Sequence, residues 1–432
     1  MTDVADRAAP IRQVPHLVTE LPGPKARAHI AFDEAITSPS LPRAYPIVPV
    51  RGDGLAVEDI DGNVFLDFAA GIAVTSTGHG HPDILEAITR QAADLVHFSA
   101  SDFYLPIYAH AAAEMARIAP ISGPTRVFLG NSGAEAIEAA LKLARFHSRR
   151  QYVVAFLGGF HGRTYGAVSL TASRAKYHGG FGPLLPGVVH VPFGSAGLDE
   201  LEQRVFKRLV PAEEVAAVFV EPIQGEGGYV VPDADFLPRL RRICDEHGIL
   251  LVADEVQSGA GRTGRMWAIQ HWGVEPDILV AAKGIASGMP ISAVVARSEL
   301  MDWGHGTHGS TYGGNAIACA ALLATVKLLE GGLVENAAQR GEQALEGLRP
   351  LVRRHESIVR DVRGRGLMIG VQFDSGATAD AVQLAAYRRG LLVLEAGDDV
   401  VRMSPALVVS EAEIATGLRL FSEAVAEVAD RP

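Results

Sequence analysis

Two stretches decide the fold of this chain: ILLVADEVQSGAGRTG, residues 249–264, and DILVAAKGIASG, residues 277–288. The first begins with an apolar run, Ile249 to Val256, that carries Asp254 near its end. Such a run fits a strand that is buried on both faces of a parallel sheet, where an ionised carboxylate is costly unless it meets a cation. The second stretch delivers Lys283 into a glycine-containing loop, although lysine is rarely buried without a task. Both stretches therefore predict a buried strand with an ionisable side chain at its end.

A carboxylate and an amine at two such strand ends suit one cofactor, pyridoxal phosphate. A lysine holds this cofactor through a Schiff base, and an aspartate keeps its ring nitrogen protonated. Asp254 and Lys283 are the candidates for these two roles. On their spacing alone an alternative stays open, in which Asp254 caps a turn and Lys283 extends its amine into solvent.

The composition is typical of an acidic, soluble enzyme. The chain has 432 residues, of which 48% are hydrophobic, and this length allows a large core and two domains. A formal net charge of −11 argues against a nucleic-acid or anionic-membrane partner. The two cysteines, Cys244 and Cys319, are too few for a disulfide framework. Because we find neither a long apolar run nor a signal-peptide pattern, we expect a cytoplasmic protein.

Strand and helix patterns alternate from residue 125 onward. The segments that predict strands are TRVFL, YVVAF, VVHV, AAVFVEP, ILLVADEV, DILVAA and ISAVVAR, and helical spacing is clear in residues 133–150 and Phe236–Glu246. This alternation predicts an α/β fold with a mainly parallel seven-stranded sheet and helices on both faces. Ligands of such sheets bind beyond the carboxyl ends of the strands. The residues at or just beyond these ends are Ser132, Phe160, Glu221, Asp254 and Lys283.

We divide the chain into three parts. Residues 1–80 form an N-terminal arm and a segment of a smaller domain, residues 81–332 form a large cofactor-binding domain, and residues 333–432 form the C-terminal small α+β domain. The elements predicted in the last part are helices around 335–356 and near 378–389, and strands in RGRGLMIGVQF, LLVLEA and VVRMSP. Ser410 and Glu413 predict a capping box at the start of the final helix.

Two glycine-containing segments suit anion and ring binding. GNSGAEA, residues 130–136, lies between a predicted strand and helix, and backbone amides at a helix start bind anions. GGFHGRT, residues 158–164, offers Phe160 for stacking on a flat ring and Arg163 for a carboxylate. Each segment also has an ordinary structural explanation: a plain turn, a core phenylalanine and a surface arginine.

VEPIQGEGGYVVP, residues 220–232, places Glu221 and Glu226 beside glycines at a strand end. These acids suit acid–base work or arginine partners, although a solvated loop explains them as well. GHGHP, residues 78–82, and HGTHG, residues 305–309, suggest a metal site. Neither has further ligands at a suitable spacing, so we expect no metal.

In their order and spacing these segments resemble the class III pyridoxal-phosphate aminotransferases, which have the aspartate aminotransferase-like fold, fold type I. The likeness runs from about residue 25 to the C-terminus. The segments that carry it are GIAVTSTGHGHP, GNSGAEAIEAALKLAR, GGFHGRT, VEPIQGEGG, LVADEVQSGAGRTG, AAKGIASGMP, GSTYGGN, DVRGRGLMIGV and VRMSPAL. This match outweighs the ordinary explanations given above.

The resemblance implies a role for each residue of the cofactor site. Lys283 forms the Schiff base and moves the proton, and Asp254 holds the ring nitrogen. The other cofactor-binding residues are Ser132, Gly133 and Ala134 at the phosphate, Phe160 and Val256 on the two ring faces, Gln257 near the ring hydroxyl, and His161 and Glu221. Thr311, in GSTYGGN, adds a phosphate contact from the neighbouring subunit. A homodimer or a dimer of dimers follows from that shared site.

Within this family the chain looks closest to the 4-aminobutyrate aminotransferases. The resemblance implies that Arg163 binds the carboxylate far from the amine, and that Arg402 binds the α-carboxylate of glutamate or 2-oxoglutarate. Glu226 pairs with Arg402 when an ω-amino acid is bound, because one arginine must be neutralised in the half-reaction that does not need it. Ile72 also matches a pocket position. We expect ping-pong transfer of the amine of 4-aminobutyrate to 2-oxoglutarate, giving succinate semialdehyde and glutamate.

Three other functions stay open. One is an aminotransferase for ornithine, acetylornithine or lysine, since the motifs are shared. Another is an amino-acid racemase or epimerase of the same fold, whose branch shares PGPKA and DVRGRGLMIGV. Such racemases tend to carry glutamine at the position of Arg163 and aspartate at that of Glu226, so both positions favour the aminotransferase. The third, a non-catalytic cofactor-binding protein, is disfavoured because Lys283, Asp254 and both arginines are present.

Overall fold

The computed structural model describes residue 11 and residues 14–430 of the chain. The strands of this part form three sheets. In chain order the strands are β1 (Pro49–Asp53), β2 (Ala56–Asp59), β3 (Val64–Asp67), β4 (Thr125–Gly130), β5 (Tyr152–Phe156), β6 (Val188–Val191), β7 (Val215–Val220), β8 (Leu250–Asp254), β9 (Ile278–Ala281), β10 (Ser292–Arg297), β11 (Val359–Arg365), β12 (Met368–Phe373), β13 (Leu391–Leu392), β14 (Leu394–Ala396) and β15 (Val400–Met403).

The α-helices lie between these strands and at both ends of the described chain. They are α1 (Pro24–Ile36), α2 (Ala70–Ala73), α3 (Pro82–Asp94), α4 (Pro106–Ile118), α5 (Gly133–Ser148), α6 (Tyr165–Leu170), α7 (Ser195–Glu200), α8 (Phe236–His247), α9 (Ala316–Leu328), α10 (Val334–Leu348), α11 (Pro350–Arg354), α12 (Gly376–Arg388) and α13 (Glu411–Ala429). The predicted capping box is present at α13, where Ser410 and Glu413 bond to each other's backbone amides.

The largest sheet has seven strands in the spatial order β4–β10–β9–β8–β7–β5–β6. Neighbouring strands are parallel except at β10, which pairs antiparallel with both β4 and β9. This confirms the mainly parallel seven-stranded sheet that the sequence predicts.

Both faces of this sheet are buried, as the unbroken apolar strands require. In β7, Val218 and Val220 belong to one core and Phe219 belongs to a second core on the opposite face. Helix α8 contributes Phe236 and Leu240 to the first core. Helix α5 packs into the second core, where its buried residues are Ala136, Ile137, Ala139, Ala140, Leu141, Leu143 and Ala144.

Two four-stranded sheets complete the fold, in the orders β1–β2–β3–β13 and β11–β12–β15–β14. The prediction of one strand in LLVLEA was wrong. Leu391–Leu392 runs parallel to β3 in one sheet, and Leu394–Ala396 runs antiparallel to β15 in the other. The chain therefore changes sheets at the buried Val393, which an apolar pattern does not reveal. The division of the chain at residues 80 and 332 stays a prediction.

A long helical stretch, residues 316–354, joins α9, a π-helical turn at Leu329–Leu333, α10 and α11. By length and composition alone it is apolar enough to cross a membrane, but a single such helix is a weak sign because core helices share these properties. Ala318, Leu322 and Val326 are buried in the main core. The cytoplasmic location stays a prediction.

The carboxyl ends of the central strands meet at one edge of the large sheet. β8 ends at Asp254, two residues earlier than the apolar run to Val256 predicts. β9 ends at Ala281, and Lys283 begins a single turn of 3₁₀ helix. Because β8 and β9 are adjacent and parallel, their ends bring the acid and the lysine to the same place.

Candidate active site

A cavity of about 340 Å³ opens at this edge of the sheet, within the usual size range of small-ligand sites, roughly 300–1,000 Å³. All but one of the residues predicted to bind the cofactor line it. They are Ser132, Gly133, Ala134, Phe160, His161, Glu221, Asp254, Val256, Gln257 and Lys283. Five separate segments of sequence therefore supply one site.

Asp254 lies buried against a histidine. Its Oδ2 atom is 2.7 Å from Nδ1 of His161, and its Oδ1 atom accepts a hydrogen bond from the backbone N–H of Val256 at 3.0 Å. Burial opposes the charge on His161, but the hydrogen bond and charge of Asp254 outweigh it and raise the pKa of His161. The contact therefore stabilises a positive charge on His161 beside the Asp254 carboxylate. Since a carboxylate has about four acceptor positions, Asp254 retains capacity for a further donor.

Lys283 has an amine that is poised to react. Its backbone φ is +48°, in the left-handed region that non-glycine residues rarely adopt. Burial lowers the pKa of its amine to about 8, the charge of Arg402 lowers it as well, and Glu226, Glu221 and Asp254 act in the opposite direction. A substantial neutral fraction near neutral pH is what a nucleophilic lysine needs.

The amino end of α5 forms an anion cradle beside the lysine. Ser132 is the N-cap of this 16-residue helix, and its hydroxyl accepts a hydrogen bond from the N–H of Glu135 at 3.2 Å. A Cβ atom on Gly133 would lie 2.9 Å from a methyl group of Val256, so only glycine permits the close approach of the two segments. Free N–H groups and the helix dipole at such a terminus favour a phosphate.

Glu221 joins two loops at the side of the cavity. Its carboxylate accepts hydrogen bonds from the backbone N–H groups of Phe160 at 2.8 Å and Gly225 at 2.9 Å. Burial raises the pKa of Glu221 to about 7, His161 opposes this shift and Asp254 adds to it. Its structural role is to hold the loop that presents Phe160 to the cavity.

The residues of the cavity fit pyridoxal phosphate. They supply an amine with a lowered pKa, a buried carboxylate for the ring nitrogen, a helix start for the phosphate, and Val256 and Phe160 as apolar walls for a flat ring. Among the residues that the structure describes, no group of three or more potential metal ligands is clustered.

An arginine and an acid form an ion pair beside the cavity. Arg402 Nη1 donates to Glu226 Oε1 at 2.6 Å and lies 3.4 Å from Oε1 of Gln257, which lines the cavity. Burial opposes the charge on Glu226, but the charge and hydrogen bond of Arg402 prevail and lower its pKa. The Nε atom of Arg402 is buried without a partner in the described part of the chain. This guanidinium thus keeps a free donor next to the site.

Besides Glu226 and Arg402, three predicted site residues do not line the cavity of this chain. Arg163 is exposed, with its guanidinium 4.8 Å from the ring centre of Tyr177. Ile72 is also exposed, at 43% of its surface, with φ of +66°. Thr311 is exposed in the loop before α9, which does not conflict with a contact to a neighbouring subunit. The roles given to these three residues stay predictions, as do those given to the residues that line the cavity.

The architecture and the cavity agree with a comparison with known families. The family model described as aminotransferase class-III matches residues 39–425. The chain is a class-III aminotransferase. The predicted family, fold and cofactor are confirmed: enzymes of this class use pyridoxal phosphate, and they act on small amino and keto acids.

Curated relatives of this class-III aminotransferase have several activities. It is 40% identical to an acetylornithine aminotransferase of Caldanaerobacter subterraneus over 89% of the chain and 96% of the relative. It is 37% identical to a 4-aminobutyrate aminotransferase of Mycobacterium tuberculosis over 97% of the chain and all of the relative. An alanine/serine racemase of Pyrococcus horikoshii is 36% identical, covering 96% of the chain and 93% of the relative.

A solved structure shows the same fold as this aminotransferase. The ornithine aminotransferase of Toxoplasma gondii superimposes with a TM-score of 0.86 at 33% identity, covering 93% of this chain and 95% of that one. The relatives therefore establish the reaction class and leave the amino donor open.

The sequence did not reveal several residues of this aminotransferase site. Tyr177 contacts both the guanidinium of Arg163 and the edge of Phe160, with ring centres 5.6 Å apart. Asn131 lines the cavity and donates to Glu135 at 2.8 Å. The other cavity residues outside the predicted set are Val74, Gly162, Ala282, Gly288, Met289, Pro290 and Ile291. Met289 to Ile291 directly follow the stretch that contains Lys283, so their position in the sequence could have indicated that they belong to the site. No pattern in the sequence indicates a site role for Tyr177.

Proposed function

We propose that this aminotransferase moves the amino group of 4-aminobutyrate to 2-oxoglutarate, giving succinate semialdehyde and glutamate. The observation that supports this proposal best is the ion pair between Arg402 and Glu226 beside the cavity, at 2.6 Å. The enzyme must accept a donor with one carboxylate and an acceptor with two. A cation that is neutralised in one half-reaction and free in the other serves both substrates.

The two arginines divide the recognition of the substrates. Arg163 is the proposed partner of the carboxylate that both substrates share, far from the reacting carbon. Arg402 is the proposed partner of the second carboxylate of 2-oxoglutarate. When 4-aminobutyrate is bound, Glu226 pairs with Arg402, because a buried and unpaired guanidinium is costly. The structure has this paired arrangement.

Lys283 and Asp254 carry the chemical step. Bound pyridoxal phosphate supplies an acceptor for the electron pair that is released at the amine-bearing carbon. Lys283 Nζ anchors the cofactor and then takes the proton from that carbon as a general base. Asp254, held in place by His161, is the residue that would hold the ring nitrogen of the bound cofactor.

A second candidate is an ornithine or acetylornithine aminotransferase. It is supported by the relative with 40% identity over 89% of the chain and by the ornithine aminotransferase fold with a TM-score of 0.86. The racemase relative supports a third reaction. Arg163 and Glu226 disfavour it, since racemases of this branch tend to carry glutamine and aspartate at these positions.

A single half-reaction distinguishes these candidates. The holoenzyme is mixed with each amine in the absence of a keto acid, and the loss of the cofactor's absorbance band is followed. We expect 4-aminobutyrate to bleach the band with a higher kcat/KM than ornithine, N-acetylornithine or lysine. Faster bleaching by N-acetylornithine or ornithine would establish the second candidate instead. Inversion of L-alanine or L-serine without any keto acid would establish the racemase.

A further inference from the structure

A second cavity, of about 620 Å³, lies outside the active site. Its walls are the loop that contains residues 263–271, helix α10, and the turn between β11 and β12. No residue lines both this cavity and the active-site cavity. The family assignment and the proposed reaction give this cavity no role.

The walls of this cavity are strongly cationic. The ionisable residues that line it are Arg265, Arg349, Arg363, Arg365, His271 and Glu342. Four guanidinium groups therefore face one carboxylate, in a chain whose formal net charge is −11. A local excess of positive charge on a protein with a negative net charge attracts anions.

Two of these arginines have no carboxylate partner in the described part of the chain. Arg265 forms neither an ion pair nor a hydrogen bond there, and Arg365 makes only a cation–π contact, with its guanidinium carbon 5.3 Å from the ring centre of Trp272. Most other arginines in the described part of the chain are bonded to acids or to backbone carbonyls, as Arg241, Arg262 and Arg389 are. Arg349 has a long ion pair with Glu342, 3.6 Å between the nearest atoms. At least two guanidinium forks thus remain available to a ligand.

Arg363 provides a fixed charge at the edge of the cavity. It donates to the carbonyl oxygen of Gly228 at 2.8 and 3.1 Å, to Gln372 at 2.7 Å and to Asp361 at 3.0 Å. Since its donors are mostly occupied, it contributes charge and rigidity. A ligand would therefore bind to Arg265, Arg365 and Arg349 rather than to Arg363.

His271 contributes no charge to this cavity at neutral pH. Its Nε2 atom is 3.1 Å from both the carbonyl oxygen and the hydroxyl of Thr263. Burial, together with the charges of Arg365 and Arg265, lowers the pKa of His271 to about 4. The imidazole is neutral at neutral pH, so the positive charge of the cavity comes from guanidinium groups that do not titrate.

We propose that this cavity binds an oligophosphate, held by Arg265, Arg365 and Arg349. Guanidinium forks match the geometry of phosphate oxygens, and several separate cations require a ligand with several negative charges. The volume of about 620 Å³ accommodates a triphosphate chain, free or as part of a nucleotide. The shared chemistry is the phosphate chain, and the experiment distinguishes the two sources.

The test is calorimetric titration of the holoenzyme with inorganic tripolyphosphate and, separately, with ATP, at about 150 mM salt to screen weak surface contacts. We expect the Arg265→Gln/Arg365→Gln double variant to lose about tenfold or more in affinity. The matched control is Arg353→Gln/Arg354→Gln, which removes the same charge from exposed arginines of α11 outside the cavity. It should retain the wild-type affinity within about twofold.

Each outcome decides the proposal. Equal affinity for tripolyphosphate and ATP assigns the site to the phosphate chain alone, and tighter binding of ATP assigns it to a nucleotide. The proposal fails if the wild type binds neither probe, if both double variants weaken binding equally, or if citrate binds as tightly as tripolyphosphate. Because Arg365 lies over Trp272, a change of tryptophan fluorescence that is absent in Trp272→Phe provides a second readout. Unchanged transamination and circular dichroism of the double variant show that it is folded.

Discussion

The amine of Lys283 titrates more than two pH units below an ordinary lysine, because burial and the charge of Arg402 lower its pKa to about 8 from 10.5. Only the neutral amine attacks the aldehyde of the cofactor. The rate at which the cofactor-free enzyme takes up pyridoxal phosphate should therefore rise with pH and level off just above 8. Rapid mixing with the cofactor at a series of pH values measures this rate.

Two variants support this experiment. Arg402→Gln removes the nearby cation that lowers the pKa of Lys283, so the midpoint of the pH profile should move upward. Lys283→Ala should lose turnover, and substantial remaining activity would exclude its role. A midpoint near 10.5, the ordinary lysine value, would contradict the argument from burial.

Glu226→Gln tests whether the acid serves as a reversible partner for Arg402. The variant keeps a hydrogen-bond acceptor but leaves the guanidinium charge without its partner at 2.6 Å. We expect kcat/KM for 4-aminobutyrate to fall by about 10- to 100-fold, as for loss of a hydrogen bond between charged groups. The half-reaction with 2-oxoglutarate should change by less than about threefold, because its own carboxylate replaces the acid.

The control for this variant is Glu395→Gln. Glu395 lies on β14, which pairs with β15, the strand that carries Arg402. Glu395 forms no salt bridge among the described residues, so both half-reactions should stay near the wild-type rates. Equal losses in the two half-reactions of Glu226→Gln would show that Glu226 has a structural role instead.

Tyr177 should orient Arg163, since its ring lies 4.8 Å from that guanidinium. An exposed cation–π contact contributes about 0.5–1 kcal/mol. Tyr177→Ala should therefore raise KM for both substrates by about two- to fivefold with little change in kcat. Tyr177→Phe keeps the ring and should behave as the wild type. If the phenylalanine variant is equally impaired, the hydroxyl rather than the ring is responsible.

At the residue scale, the sequence predicts those parts of the site that lie at strand ends. Asp254, Lys283 and the start of α5 follow apolar strands, and parallel strands bring such ends together. Tyr177 lies in a short turn far from any strand end. Its contact with Arg163 depends on how two loops fold over each other, and no local pattern records that.

Among the elements, the end of β8 is joined to the turn at Ala268–Trp272 by Glu255. This buried carboxylate accepts hydrogen bonds from Ser258 at 2.6 Å and from the N–H of Ile269 at 2.7 Å. Burial raises its pKa to about 7 from 4.5, although the hydrogen bonds oppose the shift. A raised carboxyl pKa means that the folded state holds its proton while the unfolded state has already lost it. Folding stability is therefore lost as the pH rises from 4.5 toward 7.

Glu255→Gln should abolish this pH-dependent decrease in the free energy of unfolding, which amounts to about 3 kcal/mol at most. Urea unfolding of the wild type and the variant at about pH 5 and pH 8 measures the difference between the two pH dependences. Glu213→Gln, at an exposed position, should leave the wild-type pH dependence unchanged. If Glu255→Gln also leaves it unchanged, the carboxyl is ionised in the folded state at both pH values.

The elements themselves follow closely from hydrophobic periodicity, with two kinds of departure. The antiparallel direction of β10 is set by its neighbours β4 and β9, not by its own residues. The segment LLVLEA is apolar throughout, but it is divided between two sheets at Val393. Apolar patterns indicate that a segment is buried, whereas its partners are chosen by the packing of distant parts of the chain.

For the whole molecule, an apolar surface near Thr311 supports the proposed homodimer. Phe98, Phe103 and Tyr312 are about half exposed or more, and Tyr104 is fully exposed. Phe98 and Phe103 have ring centres 4.5 Å apart. The ring centre of Tyr312 is 4.9 Å from that of His97, the residue before Phe98. A cluster of exposed aromatic residues on a protein surface marks an interaction site.

We propose that this surface is the contact between two copies of the chain and that it delivers Thr311 to the neighbouring site. Phe103→Ser/Tyr104→Ser should shift the sedimentation profile toward the monomer and weaken the binding of pyridoxal phosphate, because each cofactor would lose its phosphate contact from the other subunit. Leu209→Ser, at an exposed apolar residue elsewhere, should change neither property. A variant that becomes monomeric and yet binds the cofactor with wild-type affinity would separate the dimer contact from the site and would remove Thr311 from it.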